Sequence, residues 1–344
     1  MANPQHLDLL KQGVEAWNQW RKEHPEIQPD LNEAHLEDID LSRVNLGKTL
    51  LRNAHIQRTT LIGARLAEAH LEGTDLFRAH LEGAYLRDAH LERANLFEAH
   101  LEGAYLLRVF FDHATRLNRI SLQDKQYGPA LLADIIWGGA NLVVVDWESV
   151  KMLGDEHQAH QPKYSDGKMK DEMKDQARRV LEYRWAVRAN RQLAVALRDQ
   201  GLNEEADYFA YRAQRLRRIV WRRQALLPQQ KFWQRIRRLG SYLLSIFLDL
   251  LSGYGYKPSR SIIAYLFVIF GFAIAYYAFG HLPPFPDSLI FSLTYFHGRG
   301  FFPSLSGETN LHNPLVVFAA FEAVVGLFIE ISFIATFTQR FFGR

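Results

Sequence analysis

The chain has no cysteine in 344 residues, which removes disulfides, thiolate metal sites and cysteine nucleophiles at once. It also lacks the G-x-x-x-x-G-K-S/T loop that cradles phosphates, the H-E-x-x-H pair that holds zinc and the G-x-S-x-G nucleophile elbow. Neither an enzyme nor a cofactor is therefore expected. The opening run MANPQHLDLLKQG has no charged start followed by an apolar core, so no signal peptide is expected. A strong excess of one charge sign is missing too, since the formal net charge is only +3. That balance hides segregation: residues 31–111 carry twelve acidic against nine basic side chains, whereas residues 163–240 carry twenty basic against nine acidic.

What the sequence has in abundance is a period. Every fifth residue from Leu31 to Leu106 is leucine, with Ile56 the one exception, so sixteen consecutive positions keep a single spacing. Two positions before most of these leucines stands a small residue, as at Ala64, Ala79, Ala84, Ala89, Ala94 and Ala104. Five is neither the helical period of 3.6 nor the strand period of 2. It suits a chain that turns a corner in each repeat and points one large and one small apolar side chain at a common axis. No repeat can bury its own face, so each depends on its neighbours.

Units such as AHLEG, AYLRD and ANLFE resemble the pentapeptide-repeat family over residues 31–111. The resemblance implies a right-handed parallel β-helix, square in section, with four repeats per coil. On that layout His70 lies over His90, His80 over His100 and Tyr85 over Tyr105, as outward ladders about 4.8 Å apart. Glu72, Glu82, Glu92 and Glu102 stand beside the histidines, but a stacked pair supplies two nitrogens where structural zinc takes four ligands. No metal is expected. Gyrase binding by DNA mimicry, as in some pentapeptide-repeat proteins, would need a strongly acidic face, and the near balance of charge argues against a nucleic-acid partner.

The fold class expected is multidomain. Residues 1–30 hold a capping helix for the open end of the solenoid, with Leu9, Leu10, Val14, Trp17 and Trp20 at helical spacing over residues 5–23. Residues 31–150 form the parallel β-helix, whose register falters after Phe111 and returns near Leu142. Residues 151–230 form a charged α-helical hairpin linker, with Gly201 as helix stop and Asn203 as the next N-cap. Its basic stripe, from Arg212 through Arg223, reads either as a solvated or subunit-contacting face or as a contact for anionic lipid headgroups. Residues 231–257 form an amphipathic helix on the membrane surface. Residues 258–344 form a two-span membrane pore domain with a re-entrant loop.

The last assignment rests on two apolar stretches, about 261–280 and 314–336, each long enough to span a bilayer. Basic residues precede the first and follow the second, which places both termini in the cytoplasm of an inner-membrane protein. Between them Asp287–Thr294 is an apolar segment too short to cross, followed by FHGRGFFP. Glycine-rich backbone at membrane depth is tolerated only where protein or water surrounds it.

Span, short helix, G-x-G and span resemble the two-transmembrane, potassium-channel-like superfamily over residues 258–340, with a pore loop at about 286–303. The resemblance implies a homotetramer around a filter built from Thr294, Phe296, His297, Gly298, Arg299, Gly300 and Phe301. FHGRG replaces the superfamily's TVGYG, so potassium selectivity is not implied, and Arg299 has Glu322 or Glu308 as candidate partners. Glu322 and Glu330 lie within the second span and point within about 80° of each other on a helix. They read as pore-lining acids, with Glu330 near the inner mouth, or as buried acids paired for packing. The expected function is an oligomeric ion channel with a cytoplasmic solenoid for sensing or scaffolding. The alternative is a non-conducting, membrane-anchored scaffold that binds a protein through the solenoid.

Overall fold

The five-residue period becomes a repeated corner. In each unit the small residue's N–H donates to the preceding leucine's carbonyl, as Ala34 N to Leu31 O at 3.1 Å. The residue before the small one lies in the left-handed region, as at Glu33 (φ 60°), Asp38 (58°) and Arg43 (61°). That is the geometry of a type II turn, which asks for positive φ at its third residue. Glycine takes this position at 63, 73, 83 and 103. Gly103 is needed there twice over, because a Cβ would lie 2.5 Å from the Tyr127 carbonyl oxygen.

The computed structural model describes residues 1–163, 172–227, 232–279, 285–297 and 314–341. They divide into two compact units, Met1–Arg235 and Ile236–Arg344. In the first, parallel bridges join residues twenty apart, from Asp30 with Leu50 to His90 with Phe110. Four corners therefore make one coil. Among the described residues of the coils the ladder consists of single bridges rather than continuous strands. Amide and carbonyl alternate across it, as Leu36 N to His55 O at 2.8 Å and His55 N to Ala34 O at 2.9 Å. All sixteen period-five residues are at most 3% exposed, so the coils complete their core within one chain.

The faltering register has a structural cause. Asn95 pairs with Arg116, one residue beyond the regular offset, and Tyr105 pairs with Leu131, six beyond it. The first insertion is held by Asp112, whose Oδ1 accepts from Arg93 N at 2.8 Å and Ala114 N at 3.1 Å. The second is an excursion closed by an antiparallel bridge between Gln123 and Pro129.

Both ends of the solenoid are covered. The helix expected over residues 5–23 is two, α1 (Pro4–Lys11) and α2 (Val14–Glu23), because Gly13 at φ 116° breaks the helical path. Trp17 is fully buried and donates its indole N–H to Asn45 O at 2.9 Å, while Arg21 donates to Gly47 O at 3.0 Å. These bonds satisfy edge groups that an open coil would leave unpaired.

The far end is covered by α3 (Gly154–His160), α4 (Gln176–Asp199) and α5 (Asn203–Ala225). Leu193, Leu197, Ala206 and Phe209 belong to the same apolar core as the coils. Gln200 bonds Leu142 N and Ala140 O, each at 2.7 Å. Gly201 (φ 80°) ends α4 as expected, but the cap of α5 is Leu202 rather than Asn203. Leu202 packs half-buried against the solenoid core, which moves the helix start by one residue.

The second unit contains most of α6 (Phe232–Ser252), with α7 (Pro258–Phe279), α8 (Phe285–Phe296) and α9 (Pro314–Phe341). Helix α6 begins nine residues before the apolar stretch read at 241–251. Within this unit its Ser245, Asp249 and Ser252 turn inward while Leu243, Leu244, Phe247 and Leu250 stay exposed. Asp249 pairs with Arg260 at 2.8 Å.

Candidate functional site

Two helices of the second unit, over Pro258–Ala278 and Val317–Ala335, are long and apolar enough to cross a membrane, yet only 22% of each is buried. A core helix of a soluble protein would be mostly buried. Their uncovered sides, with Phe267, Ile274, Phe321 and Ile334 among the exposed residues, ask for lipid or for further copies of the chain.

Helix α8 has 12 residues. At 1.5 Å per residue it spans about 18 Å, well short of a hydrocarbon core of about 30 Å. It extends two residues beyond the expected Asp287–Thr294 at each end. Its neighbours fix its direction. Ser292 Oγ lies 2.9 Å from Ile269 O, and one turn on Phe296 packs edge-on to Tyr265 at 4.9 Å, so α8 runs antiparallel to α7. Against α9 the order rises on both sides: Ser292 meets Glu322, Phe296 meets Gly326 and His297 meets Glu330. Thus α8 is parallel to α9, and both helices start at one level, seven or eight residues before the Ser292–Glu322 contact.

Gly326 permits this closeness, since a Cβ there would lie 2.2 Å from the Phe296 carbonyl oxygen. Glu322 has no exposed surface. One carboxylate oxygen accepts the Tyr276 hydroxyl at 2.7 Å and the other accepts the Ser292 hydroxyl. A single acid thereby ties α7, α8 and α9 together. Tyr276 and Ser292 were not singled out in the sequence, although each is a polar group on an otherwise apolar helix, which is the available signal.

Glu330 was expected near the inner mouth. It stands level with the C-terminal end of α8, its carboxylate 3.5 Å from His297 Nε2, because α8 runs parallel to α9; whether that level is an inner mouth is not tested by this geometry. His297 Nδ1 lies 2.8 Å from Leu293 O. Thr294 is exposed on α8 and bonds Ile290 O at 2.6 Å. Gly298, Arg299, Gly300, Phe301 and Glu308 lie outside the described residues, so the filter reading and the Arg299 pairing are not tested by this geometry.

On the solenoid, His70 stacks on His90 at 5.1 Å, His80 on His100 at 4.7 Å and Tyr85 on Tyr105 at 4.6 Å. Two more stacks, His35 on His55 and His90 on Phe110, were missed although the twenty-residue offset could have found them. Each histidine Nδ1 of the two ladders faces the glutamate two residues on, at 2.9 Å for His80 and Glu82. His80, Glu82 and His100 bring ligand atoms within 4.8 Å of one another. The rings are within 3° of parallel, however, so their in-plane lone pairs do not converge on one point. The geometry is that of a ladder.

The same offset pairs charges. Arg108 meets Asp88 at 2.6 Å, Arg58 meets Asp38 at 2.5 Å and Lys48 meets Glu68 at 3.6 Å. The Arg58 guanidinium holds the Asp38 carboxyl below its ordinary range.

A family model described as pentapeptide repeats matches residues 54–93 in eight copies. Among solved structures, the chain is similar to the pentapeptide repeat protein Rfr23 from the cyanobacterium Cyanothece 51142, at 34% identity over 33% of this chain and 67% of that one, with a TM-score of 0.24. It is also similar to a pentapeptide repeat protein from Nostoc Pcc 7120, at 31% identity over 30% of this chain and 84% of that one, with a TM-score of 0.20. A trypsin-treated form of QnrB1, a plasmid-mediated fluoroquinolone resistance protein, aligns at 19% identity over 33% of this chain and 65% of that one, with a TM-score of 0.21. No curated protein matches the sequence.

Proposed function

Since the chain belongs to the pentapeptide-repeat family, we propose that its solenoid is a protein-binding module joined to a membrane unit of the two-span, pore-loop ion-channel type. The observation that carries the pore reading is the direction of α8. A helix too short to cross lies antiparallel to the first span and parallel to the second, and its start is level with the start of the second span. That is the arrangement of a re-entrant pore helix. Glu322 supports the reading, because a buried acid that binds all three helices holds a short element at membrane depth.

In this reading several copies, four by the superfamily resemblance, surround an axis within the inner membrane, both termini are cytoplasmic, and the chain catalyses no reaction. The ladders of His70, His80, Tyr85 and their stacked partners form regular faces on the solenoid for a protein partner.

Purified protein in a planar bilayer tests the proposal. Unitary currents that change on Glu322→Gln support the channel. Silence across voltage, pH and ion species, from protein shown to be folded and oligomeric, replaces it with the membrane-anchored scaffold.

A further inference from the structure

We propose that the groove between α4 and α5 binds a phosphate group, carried by a soluble small molecule or by a lipid headgroup. Arg184 and Arg191 stand seven residues apart on α4, two turns along one face. With Arg217 of α5 they line a hollow of about 230 Å³. No aspartate or glutamate is among its lining residues. Other arginines of these helices have acidic partners, Arg188 with Asp134, Arg198 with Asp207 and Arg212 with Glu156, while Arg179, Arg215 and Arg222, outside the hollow, have none among the described residues. Among the described residues Arg184, Arg191 and Arg217 form no ion pair. Three arginines line one hollow that no acidic side chain lines.

The hollow is also built to hold a guanidinium still. The Arg217 guanidinium lies over the Trp221 ring at 4.8 Å from its centroid, a cation–π contact that orients its plane. Val187 and Val220 add an apolar lining. A fixed guanidinium fork matches two phosphate oxygens at once, which a lysine ammonium cannot do.

Size and charge select the ligand class. Pockets for whole drug-sized molecules run from about 300 to 1,000 Å³; this hollow is smaller, so it takes a headgroup and leaves the remainder outside. A carboxylate brings one negative charge, whereas a phosphate monoester brings about 1.5 to 2 and three acceptor oxygens. The second matches three arginines better.

The test uses the full chain in phosphatidylcholine nanodiscs, titrated calorimetrically with pyrophosphate in one arm and with short-chain phosphatidate in the other. Saturable binding is expected in at least one arm, and the arm that binds identifies the source. Arg191→Gln and Arg217→Gln should each weaken it about tenfold or more, the loss of a charge-assisted bond. Arg217→Lys should weaken it less, keeping the charge but not the fork. Arg215→Gln, on the same helix but outside the hollow, should leave it unchanged, and all four variants should melt with the parent. Absence of binding in both arms, or an equal loss in Arg215→Gln, would overturn the proposal.

Discussion

Glu322 is the one residue whose loss should loosen three helices together, and the size of the effect follows from its partners. Tyr276→Phe removes a single hydroxyl bond, at 2.7 Å, while leaving the ring in place. Interhelical hydrogen bonds in membranes contribute about 0.6 kcal/mol on average and up to about 1.7, so a loss near 1 kcal/mol is expected. Ser292→Ala should cost a similar amount, because its single hydroxyl proton serves only one of its two acceptors, Glu322 or Ile269 O, at a time. Glu322→Ala removes the acceptor of the Tyr276 hydroxyl and leaves it buried, while the Ser292 hydroxyl can turn to Ile269 O. With about 1–3 kcal/mol for the stranded hydroxyl, its cost should be about 1–3 kcal/mol. Unfolding of the reconstituted protein on transfer into denaturing detergent reads these differences. A double-mutant cycle between Glu322→Ala and Tyr276→Phe should show coupling of about 1 kcal/mol. Zero coupling, or a Glu322→Ala protein as stable as its parent, would mean that the network does not hold α8.

Asp155 is buried, and burial pushes its carboxyl from its ordinary 3.8 up to about 7 against the opposing bond from Leu132 N. Between about pH 4 and 7 the folded chain keeps a proton that the unfolded chain has released, so stability falls as pH rises through that window. Asp155→Asn should therefore stabilise the protein by up to about 4 kcal/mol at pH 8 and by less at pH 5, measured by thermal unfolding; an equal gain at both pH values would remove the titration argument. Ala84→Val adds volume at an axis position with no exposed surface and should cost about 1–3 kcal/mol by overpacking; a neutral result would show slack in the coils. Glu330→Gln and His297→Gln should alter any unitary current in the same sense, because the two side chains face each other at 3.5 Å. Divergent effects of the two substitutions in bilayer recordings would uncouple them.

The solenoid was legible because its signal repeats. One unit alone carries little information, but sixteen in phase leave the offset of four units as the only open quantity, and from it follow the histidine stacks and the charge pairs. What escaped was local. The break at Gly13 and the one-residue shift from Asn203 to Leu202 are settled by what the side chains touch: Leu202 gains more by resting on the solenoid than Asn203 gains as a cap. The hairpin read as a linker instead shares the apolar core of the coils, and its charged outer face gave no sign that Leu193, Leu197 and Phe209 would close the end of a β-helix.

In the second unit the lengths of the elements were legible and their mutual direction was not. Hydropathy locates a span because every face must be apolar, but that uniformity erases the facing pattern which tells one side of a soluble helix from the other. The facing information lies in the few residues that break the uniformity. Ser292, Tyr276 and Glu322 are polar, and in lipid each must find a partner within the protein, so they had to meet one another or their counterparts in a second copy. Gly326 marks where backbone touches backbone. With Phe296 against Tyr265 and His297 against Glu330, such contacts set α8 antiparallel to α7 and parallel to α9. The meeting of Glu330 with His297 follows from that direction, because a helix parallel to α9 brings its C-terminal end beside the later residues of α9.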